Sequence, residues 1–395
     1  MKPFEPDQIK TFRTPKYTGV TLSLLSMFVL ASMVVVWNKM HSNYQSKEIP
    51  LSVICDDSFR QPVTECLDQF TKELNIPISI EYYSPDELDR KFNSISIENG
   101  KTYDLLIASE IGPKNGLLFQ RFTKESVTIA NRSLIFATRN NSNLKIKKWS
   151  DLSDQNITLG LCDRNARSGQ ALQKILESSA NRSGNTNHII FKTDTELSNN
   201  LMNSSELDGI VVWYNTAIKL GLKIHQLEEF KLNSIPVTSK VISTTKNASK
   251  SLMFSRFLAA PSKGQFHFAN NNILGTNGDI WNRQPTLRIY TEPIFKNSII
   301  NLTEHFEKRE GVTIDLKFPN IEKLIFTISS ISQSNAPNLL PDLLLVSHKT
   351  AAEIPPNYIL TNSENSFTKG LFLLHSKSRH GSLAKRLTNY KPSKK

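Results

Sequence analysis

The chain has 395 residues, of which 38% are hydrophobic and 21% are charged. This length has room for two or three domains, and the apolar content is enough for packed cores, which excludes an intrinsically disordered protein. The formal net charge is +12 at pH 7. The basic residues are scattered, apart from Lys391, Lys394 and Lys395 at the C-terminus, and do not form the basic helix face typical of nucleic-acid-binding proteins.

The first predicted element is an N-terminal membrane anchor over residues 18–38. No residue between Tyr17 and Trp37 is charged, and a helix of about 20 apolar residues crosses a bilayer. More basic residues precede this segment than follow it closely, which predicts a cytoplasmic tail over residues 1–17 and the remaining chain outside the cytoplasm. The alternative is a cleaved signal peptide, but no small-x-small cleavage site ends the segment and no cysteine there could accept a lipid.

After a short polar tether, the pattern predicts an α/β lobe. We expect a strand over residues 51–55, an amphipathic helix over 62–74 and a second strand over 78–82. Ser84 then opens a capping-box pattern, which predicts another helix start. The apolar run 103–108 is typical of a buried parallel strand.

The next part of the chain predicts a second lobe, over about residues 127–236, inserted into the first. Strands are expected over 133–138, 157–161 and 209–213, with a helix over 168–176. A return strand over 239–243 and a following helix then complete the first lobe. The predicted two-lobed domain therefore covers residues 48–268.

A long internal repeat is the most informative pattern in the sequence. Residues 51–80 realign without a gap on residues 287–316, at an offset of 236, and residues 103–109 match 341–347 at an offset of 238. A repeat of this length indicates duplication of a fold.

The second copy is shorter than the first. Asp342 lies 40 residues before Ser382, whereas Asp104 lies 147 residues before Ser251. The second copy, residues 286–395, is therefore expected to hold one lobe only, and an Asn- and Gly-rich linker over 269–285 precedes it.

The sequence predicts no catalytic residue, cofactor or metal site. Cys55, Cys66 and Cys162 have no metal-ligand spacing, and Cys66 is expected to be a buried structural thiol. The eight histidines show no metal-ligand spacing or nucleophile motif, and there is no glycine-rich phosphate loop. Asp104 and Asp342 stand at strand starts, where a structural role is more probable than a catalytic one. We therefore do not expect an enzyme.

The order of elements resembles that of bacterial extracellular (periplasmic) solute-binding proteins, specifically the molybdate-binding type that serves ABC importers. The segments that carry the resemblance are 70–78, 103–108, 157–160, 168–172 and 209–217. It covers most of residues 50–265 and, for the first lobe only, 286–388. It implies a type II two-lobed α/β fold, followed by a truncated single-lobe repeat.

The same resemblance implies a function and a location. Members bind a small solute, here a molybdate-like oxyanion, for ABC-type uptake, and an ABC transporter permease is the implied partner. With the predicted anchor, which would contact membrane lipid, this places a single-pass protein in the bacterial inner membrane with its main domains in the periplasm.

The resemblance also implies which residues bind the ligand. The family holds its ligand with hydroxyls and with backbone N–H groups at helix N-termini, which favour anions. Ser84 has the equal alternative of a simple helix cap, and a one-residue slip decides between a tryptophan and a tyrosine in the second lobe. The implied ligand-binding residues are Ser58, Ser84, Arg167, Ser168, Trp213 and Tyr214.

Several carboxylates argue against a simple oxyanion site. Asp56 and Asp57 adjoin Ser58, and Asp86 and Glu87 adjoin Ser84, whereas a site for an anion avoids like charge. Arg164 and Arg167 could offset them. The ligand class therefore stays open between an anion, a cation, an amine-bearing solute and no ligand at all. The alternative function is a ligand-sensing or scaffold protein that keeps the fold for protein contacts.

Overall fold

The structure is a computed structural model that describes residues 18–43, 49–84, 87–88, 90–91, 103–110, 123–154, 157–178, 187–231, 233–333, 339–361 and 368–392. Its contacts divide the chain into two units, Met1–Ile49 and Pro50–Lys395.

The first unit contains helix α1, Thr18–Asn43. Among the described residues, no helix is both long and apolar enough to cross a membrane. The predicted anchor over residues 18–38 is therefore not supported by the described part of the chain, and the predicted tail over 1–17 lies outside it.

Strands and helices alternate along the second unit. Its strands are β1 (Leu51–Asp56), β2 (Ile78–Tyr83), β3 (Leu105–Ser109), β4 (Thr123–Arg132), β5 (Leu134–Thr138), β6 (Thr158–Cys162), β7 (Asn187–Phe191), β8 (Gly209–Trp213), β9 (Lys223–His225), β10 (Ile235–Ile242), β11 (Thr286–Thr291), β12 (Thr313–Lys317), β13 (Leu343–Val346), β14 (Tyr358–Thr361) and β15 (Leu371–His375). Its helices are α2 (Arg60–Leu74), α3 (Ser150–Asp154), α4 (Arg167–Ser178), α5 (Asp194–Asn203), α6 (Tyr214–Lys219), α7 (Glu228–Lys231), α8 (Ala248–Ala259), α9 (Gly264–Asn270), α10 (Lys296–Glu310), α11 (Ile321–Gln333), α12 (His348–Ala351) and α13 (Gly381–Asn389).

The first lobe is built on a mixed sheet with strand order β2-β1-β3-β10-β4. Strand β1 is parallel to both of its neighbours, and β10 runs antiparallel to β3 and β4. Helices α2 and α8 contribute Phe70 and Phe254 to the core, with ring centroids 4.9 Å apart. Because the sheet is buried, β1 and β3 read as nearly continuous apolar runs in the sequence.

The second lobe is a separate sheet with strand order β7-β6-β8-β5-β9. The chain enters it through Ser133, between β4 and β5, and returns to the first lobe at β10. At the entry point, the backbone N–H of Tyr214 donates to the carbonyl oxygen of Ser133 at 2.9 Å. Residue 133 therefore lies on one of the two connections between the lobes.

The second copy repeats the first lobe. Its sheet has the order β12-β11-β13-β15-β14, and β14 takes the position that β4 has in the first lobe. Helices α2 and α10 start and end at the same offset of 236, and each ends in a left-handed residue, Asn75 (φ 55°) and Gly311 (φ 66°). Within the described part of residues 286–392 there is one sheet, so no counterpart of the second lobe is present there. The exact domain boundaries stay predictions.

Asp104 and Asp342 have the same structural role in the two copies. Oδ2 of Asp104 accepts from the backbone N–H of Ser52 at 2.8 Å, and Oδ2 of Asp342 accepts from that of Arg288 at 2.9 Å. The second oxygen of Asp342 accepts from the hydroxyl of Ser378 at 2.5 Å. Each carboxylate ties the start of one central strand to its neighbour, as expected of a structural residue.

Buried charges join the two copies. The Glu310 carboxylate, at the end of α10, accepts from Arg386 Nε at 2.8 Å and from Arg256 of the first copy at 3.1 Å. Arg309 donates two bonds, at 2.8 and 2.9 Å, to Glu125 of the first copy. The copies are therefore held in contact by specific ion pairs.

Candidate functional site

A buried carboxylate ends the first strand of the first lobe. Asp56 is fully buried, and its Oδ1 accepts from the backbone N–H of Ser58 at 2.9 Å and from the Ser58 hydroxyl. Its Oδ2 is buried and meets no hydrogen-bond donor among the described residues. Because an unpaired buried carboxylate oxygen is costly, this atom marks a position that a donor on a ligand could occupy.

Arg132 lies between the two lobes. It is the last residue of β4, is 6% exposed, and donates through Nη1 to the Ser58 hydroxyl at 3.4 Å. Its guanidinium carbon lies 3.9 Å from the ring centroid of Trp213 in the second lobe and 5.3 Å from that of Phe59 in the first. Such stacking is a favourable cation–π contact. Arg132 therefore joins the end of β1 to the end of β8.

The positive charge of Arg132 is maintained in this buried position. Burial lowers its pKa to about 10, and the carboxylates of Asp56 and Asp194 act in the opposite direction. The described contacts include no direct ion pair between Arg132 and Asp56, because Ser58 bonds to both. The site thus holds a separated positive and negative charge on either side of a hydroxyl.

The second lobe contributes a cysteine and an acid. The Cys162 thiol, at the end of β6, donates to Oδ1 of Asp194 at 3.4 Å. Burial, with a smaller contribution from Asp194, raises the pKa of Cys162 to about 12. Arg167 and Ser168 begin helix α4 and are both buried.

A serine at the end of β3 completes the first-lobe side. Ser109 is 2% exposed, and its hydroxyl has no partner within the described part of the chain. Its equivalent in the second copy, Ser347, does have one: Glu292, the equivalent of Asp56, accepts from the Ser347 N–H at 2.8 Å and from its hydroxyl at 3.1 Å. The acid and the serine are therefore hydrogen-bonded to each other in the second copy (a closed pair), whereas the serine hydroxyl has no described partner in the first (an open pair).

The structure brings some of the predicted site residues together. Ser58 and Trp213 both contact Arg132. Arg167 and Ser168 are buried at the start of α4, and Tyr214 is half-buried at the start of α6. The binding roles predicted for these residues are not tested by the contacts themselves and stay predictions.

Ser84 forms the predicted capping box. Its hydroxyl donates to the Glu87 carboxylate at 2.7 Å and accepts from the Glu87 N–H at 3.4 Å, and Ser84 is exposed. The capping interpretation is thereby supported, and its binding role stays a prediction. Asp86 lies outside the described residues.

Sequence reasoning missed Arg132 and Ser109. Nothing in the local sequence marks Arg132, which ends strand β4 and acquires its neighbours from the packing of the lobes. Ser109, by contrast, aligns with Ser347 in the internal repeat, so a comparison of the two copies could have identified it.

Elsewhere, the described residues form no metal site but do line a large cavity. No group of three or more His, Cys, Asp and Glu side chains in the described ranges could hold a metal ion. A cavity of about 1160 Å³ lies instead between the copies, where Lys124, Arg309 and Lys385 are among its lining residues.

The solved structures similar to this chain include several ligand-binding proteins. The substrate-binding domain of a putative molybdenum ABC transporter from Clostridium difficile is 16% identical, with a TM-score of 0.48, and the match covers 58% of this chain and 99% of that one. The periplasmic molybdate-binding protein of Azotobacter vinelandii is 14% identical, with a TM-score of 0.40, over 57% of this chain and 100% of that one.

A putative phosphate ABC transporter substrate-binding protein with bound phosphate, from Clostridium perfringens, is 13% identical, with a TM-score of 0.44, over 58% of this chain and 100% of that one. At these identities and TM-scores, the similarities do not identify a ligand. Among curated proteins, none matches this chain in sequence.

The sequence model of one protein family matches residues 51–266, more than half of the chain. This range contains both lobes of the first copy and the site around Arg132. The predicted family resemblance is thereby confirmed, and the members are substrate-binding proteins and not enzymes. The chain belongs to the bacterial extracellular solute-binding protein family.

Proposed function

We propose that the first copy captures a small solute between its two lobes and presents it to an ABC-type importer. The observation that carries this proposal is the position of Arg132, which is buried between the lobes and contacts Ser58 on one side and Trp213 on the other. A ligand that bonds to this guanidinium would contact both lobes at once. Binding would therefore be linked to the relative position of the lobes.

The proposed location follows from the family and from the N-terminal sequence. An extracellular solute-binding protein acts on the outer side of the cytoplasmic membrane, which supports a periplasmic position. We extend this proposal to an inner-membrane anchor at residues 18–38. Its support is the uncharged sequence between Tyr17 and Trp37 and the exposure of large apolar side chains in α1, among them Phe28, Leu30 and Val35.

The ligand could be a molybdate-like oxyanion, as the resemblance implies, or a solute that also carries a donor. The buried Asp56 carboxylate favours the second class, because a bare anion would lie beside a like charge. The alternative function, a sensor or scaffold, draws its support from the second copy. There the acid–serine pair is closed by Glu292 and Ser347, which suits a lobe that is kept for packing against a protein.

Calorimetric titration of the full-length protein in mild detergent tests solute capture. The probes are molybdate, tungstate, sulfate, phosphate, ferric citrate and a set of small amino acids. We expect one of them to bind, and Arg132→Met and Trp213→Phe to weaken that binding at least roughly tenfold, because the first removes the guanidinium that contacts both lobes and the second weakens its contact with the second lobe.

Trp149→Phe is the matched control. Trp149 is buried in the same second-lobe core but packs against Phe230, with ring centroids 6.2 Å apart. Binding that all three variants leave unchanged would place the ligand elsewhere. No heat from any probe would favour the scaffold alternative.

A further inference from the structure

We infer that the first copy recognises a small zwitterion, a solute with a protonated amine and a carboxylate or phosphonate group. Asp56 and Ser109 would accept the amine, and Arg132 would bind the acidic group. This inference rests on the proposed function, since it assigns a ligand class to the same site between the lobes.

The internal repeat shows that Asp56 and Ser109 are neighbours. In the first lobe, β1 and β3 pair in parallel with Cys55 opposite Ile107. In the second copy, β11 and β13 pair with Thr291 opposite Leu345, which are the same positions at offsets of 236 and 238. In both copies, the acid lies one position after the paired residue of its strand, and the serine lies two positions after the paired residue of the neighbouring strand. Ser109 therefore stands beside Asp56 as Ser347 stands beside Glu292.

The pair differs between the two copies in two ways: the acid is one methylene group longer in the second copy, and a neighbouring hydroxyl is present only in the first. The longer Glu292 side chain reaches Ser347. The shorter Asp56 is instead engaged by Ser58 through Oδ1, and Ile294, which has no hydroxyl, stands at the Ser58 position in the second copy. As a result, Oδ2 of Asp56 and the Ser109 hydroxyl are left without partners among the described atoms, although both residues are at least 98% buried.

A protonated amine supplies the donors that these two atoms lack. An ammonium group has three donors and a positive charge, so it can donate to Oδ2 of Asp56 and to the Ser109 hydroxyl at the same time. Bonds of this kind, between two charged groups out of water, are among the stronger ones in proteins. A fully deprotonated oxyanion such as molybdate has no donor to offer, and it would leave the carboxylate unpaired.

The acidic half of the ligand is indicated by Arg132. Its Nε is buried and has no acceptor in the described part of the chain, and its charge is not paired directly with that of Asp56. A carboxylate or phosphonate oxygen supplies that acceptor and an opposite charge. A ligand with both groups therefore neutralises both buried charges, whereas an amine or an acid alone would neutralise one of them.

The probes distinguish the two possible ligand classes, amino carboxylates and amino phosphonates. Full-length protein in mild detergent is titrated with β-alanine and with 2-aminoethylphosphonate, and then with ethanolamine, propionate and molybdate as probes that lack one of the two groups. We expect at least one zwitterion to bind more tightly than every single-group probe. The tighter of the two zwitterions identifies the acidic group.

Paired variants in the two copies test the residues. Asp56→Asn should weaken zwitterion binding by roughly 10- to 100-fold and Ser109→Ala by roughly 3- to 10-fold, since they remove a charged and a neutral acceptor. The matched controls, Glu292→Gln and Ser347→Ala, change the equivalent pair in the second copy and should alter binding by less than about twofold. Ser109→Ala removes a hydroxyl that has no partner among the described residues, so it should keep the melting temperature and remain informative even where Asp56→Asn is unstable.

The outcomes separate this inference from the proposed function. If molybdate or propionate binds and Asp56→Asn leaves that binding intact or strengthens it, the zwitterion assignment is wrong and solute capture stands. If a zwitterion binds but the first-copy and second-copy variants weaken it equally, the assignment to Asp56 and Ser109 is wrong. If none of these probes binds but another probe of the first titration does, only the zwitterion assignment fails. If no probe of either titration binds, both proposals fail.

Discussion

The most direct test of how the copies are joined is Glu310→Gln. Glu310 is 1% exposed and accepts from two arginines, one from each copy: Arg386 at 2.8 and 3.0 Å and Arg256 at 3.1 Å. Glutamine has nearly the same shape but no charge. The substitution therefore leaves two buried guanidinium groups without the carboxylate that lies between them.

The expected cost follows from this burial. Removing one partner of a buried ion pair typically lowers the free energy of unfolding by about 3–5 kcal/mol. Glu304→Gln is the matched control, because Glu304 lies on the same helix, α10, and is exposed. Its effect should be within about 0.5 kcal/mol. Urea denaturation at pH 7, followed by far-UV circular dichroism, measures both.

The pH dependence gives an independent check. Burial alone would raise the pKa of Glu310, but Arg386 and Arg256 together hold it below the usual glutamate range. The folded pKa is thus lower than the unfolded one, about 4.3. The stabilisation is therefore complete above about pH 4.3 and is lost as the pH falls through the folded value. The gap between wild type and Glu310→Gln should narrow on acidification below about pH 4.

Two results would refute this reasoning. The first is a Glu310→Gln protein within about 1 kcal/mol of wild type at pH 7. The second is a stability gap that stays constant down to pH 3, since a constant gap would come from shape and not from charge.

Two further predictions concern the repeat and the thiols. Gly311→Ala should lower the free energy of unfolding by about 1–2 kcal/mol, because Gly311 has φ 66° and an added Cβ would lie 2.1 Å from the Ser249 hydroxyl. Asn75→Gly, at the equivalent position of the first copy, should change the free energy of unfolding by less than about 1 kcal/mol. Equal losses of stability for the two variants in thermal melts would contradict the argument. The three cysteines are buried and free, and burial raises the pKa of each thiol. They should not react with a thiol reagent at pH 8 until the protein is denatured, and a fast native reaction would contradict this assignment.

Much of the fold could be predicted from local patterns. The apolar runs of β1 and β3 and the spacing of apolar residues in α2 are properties of a few consecutive residues, and the structure has these elements close to the predicted bounds. Helix α2 begins at Arg60, two residues before the predicted start, because a short 3-10 turn, Asp57–Phe59, leads directly into it. The repeat could also be predicted from the sequence, because equivalent elements of the two copies keep the same sequence offset.

The site was only partly accessible from the sequence. Ser58 and Trp213 were identified through the family resemblance, and the acid beside Ser58 was noted as a departure from it. What the sequence did not show was that Asp56 is fully buried with one unpaired oxygen. Burial depends on the elements that cover a residue, and those come from distant parts of the chain.

The sequence by itself determined the α/β class, the duplication, the loss of one lobe from the second copy and the family, because each of these is written in the order and spacing of local segments. The tertiary structure decided the role of single side chains. Arg132 becomes a contact between lobes only when β4 and β8 end side by side, and Glu310 becomes a link between copies only when three helices bring two arginines to it. Such contacts join residues that are 54 to 81 positions apart, and no local pattern encodes them.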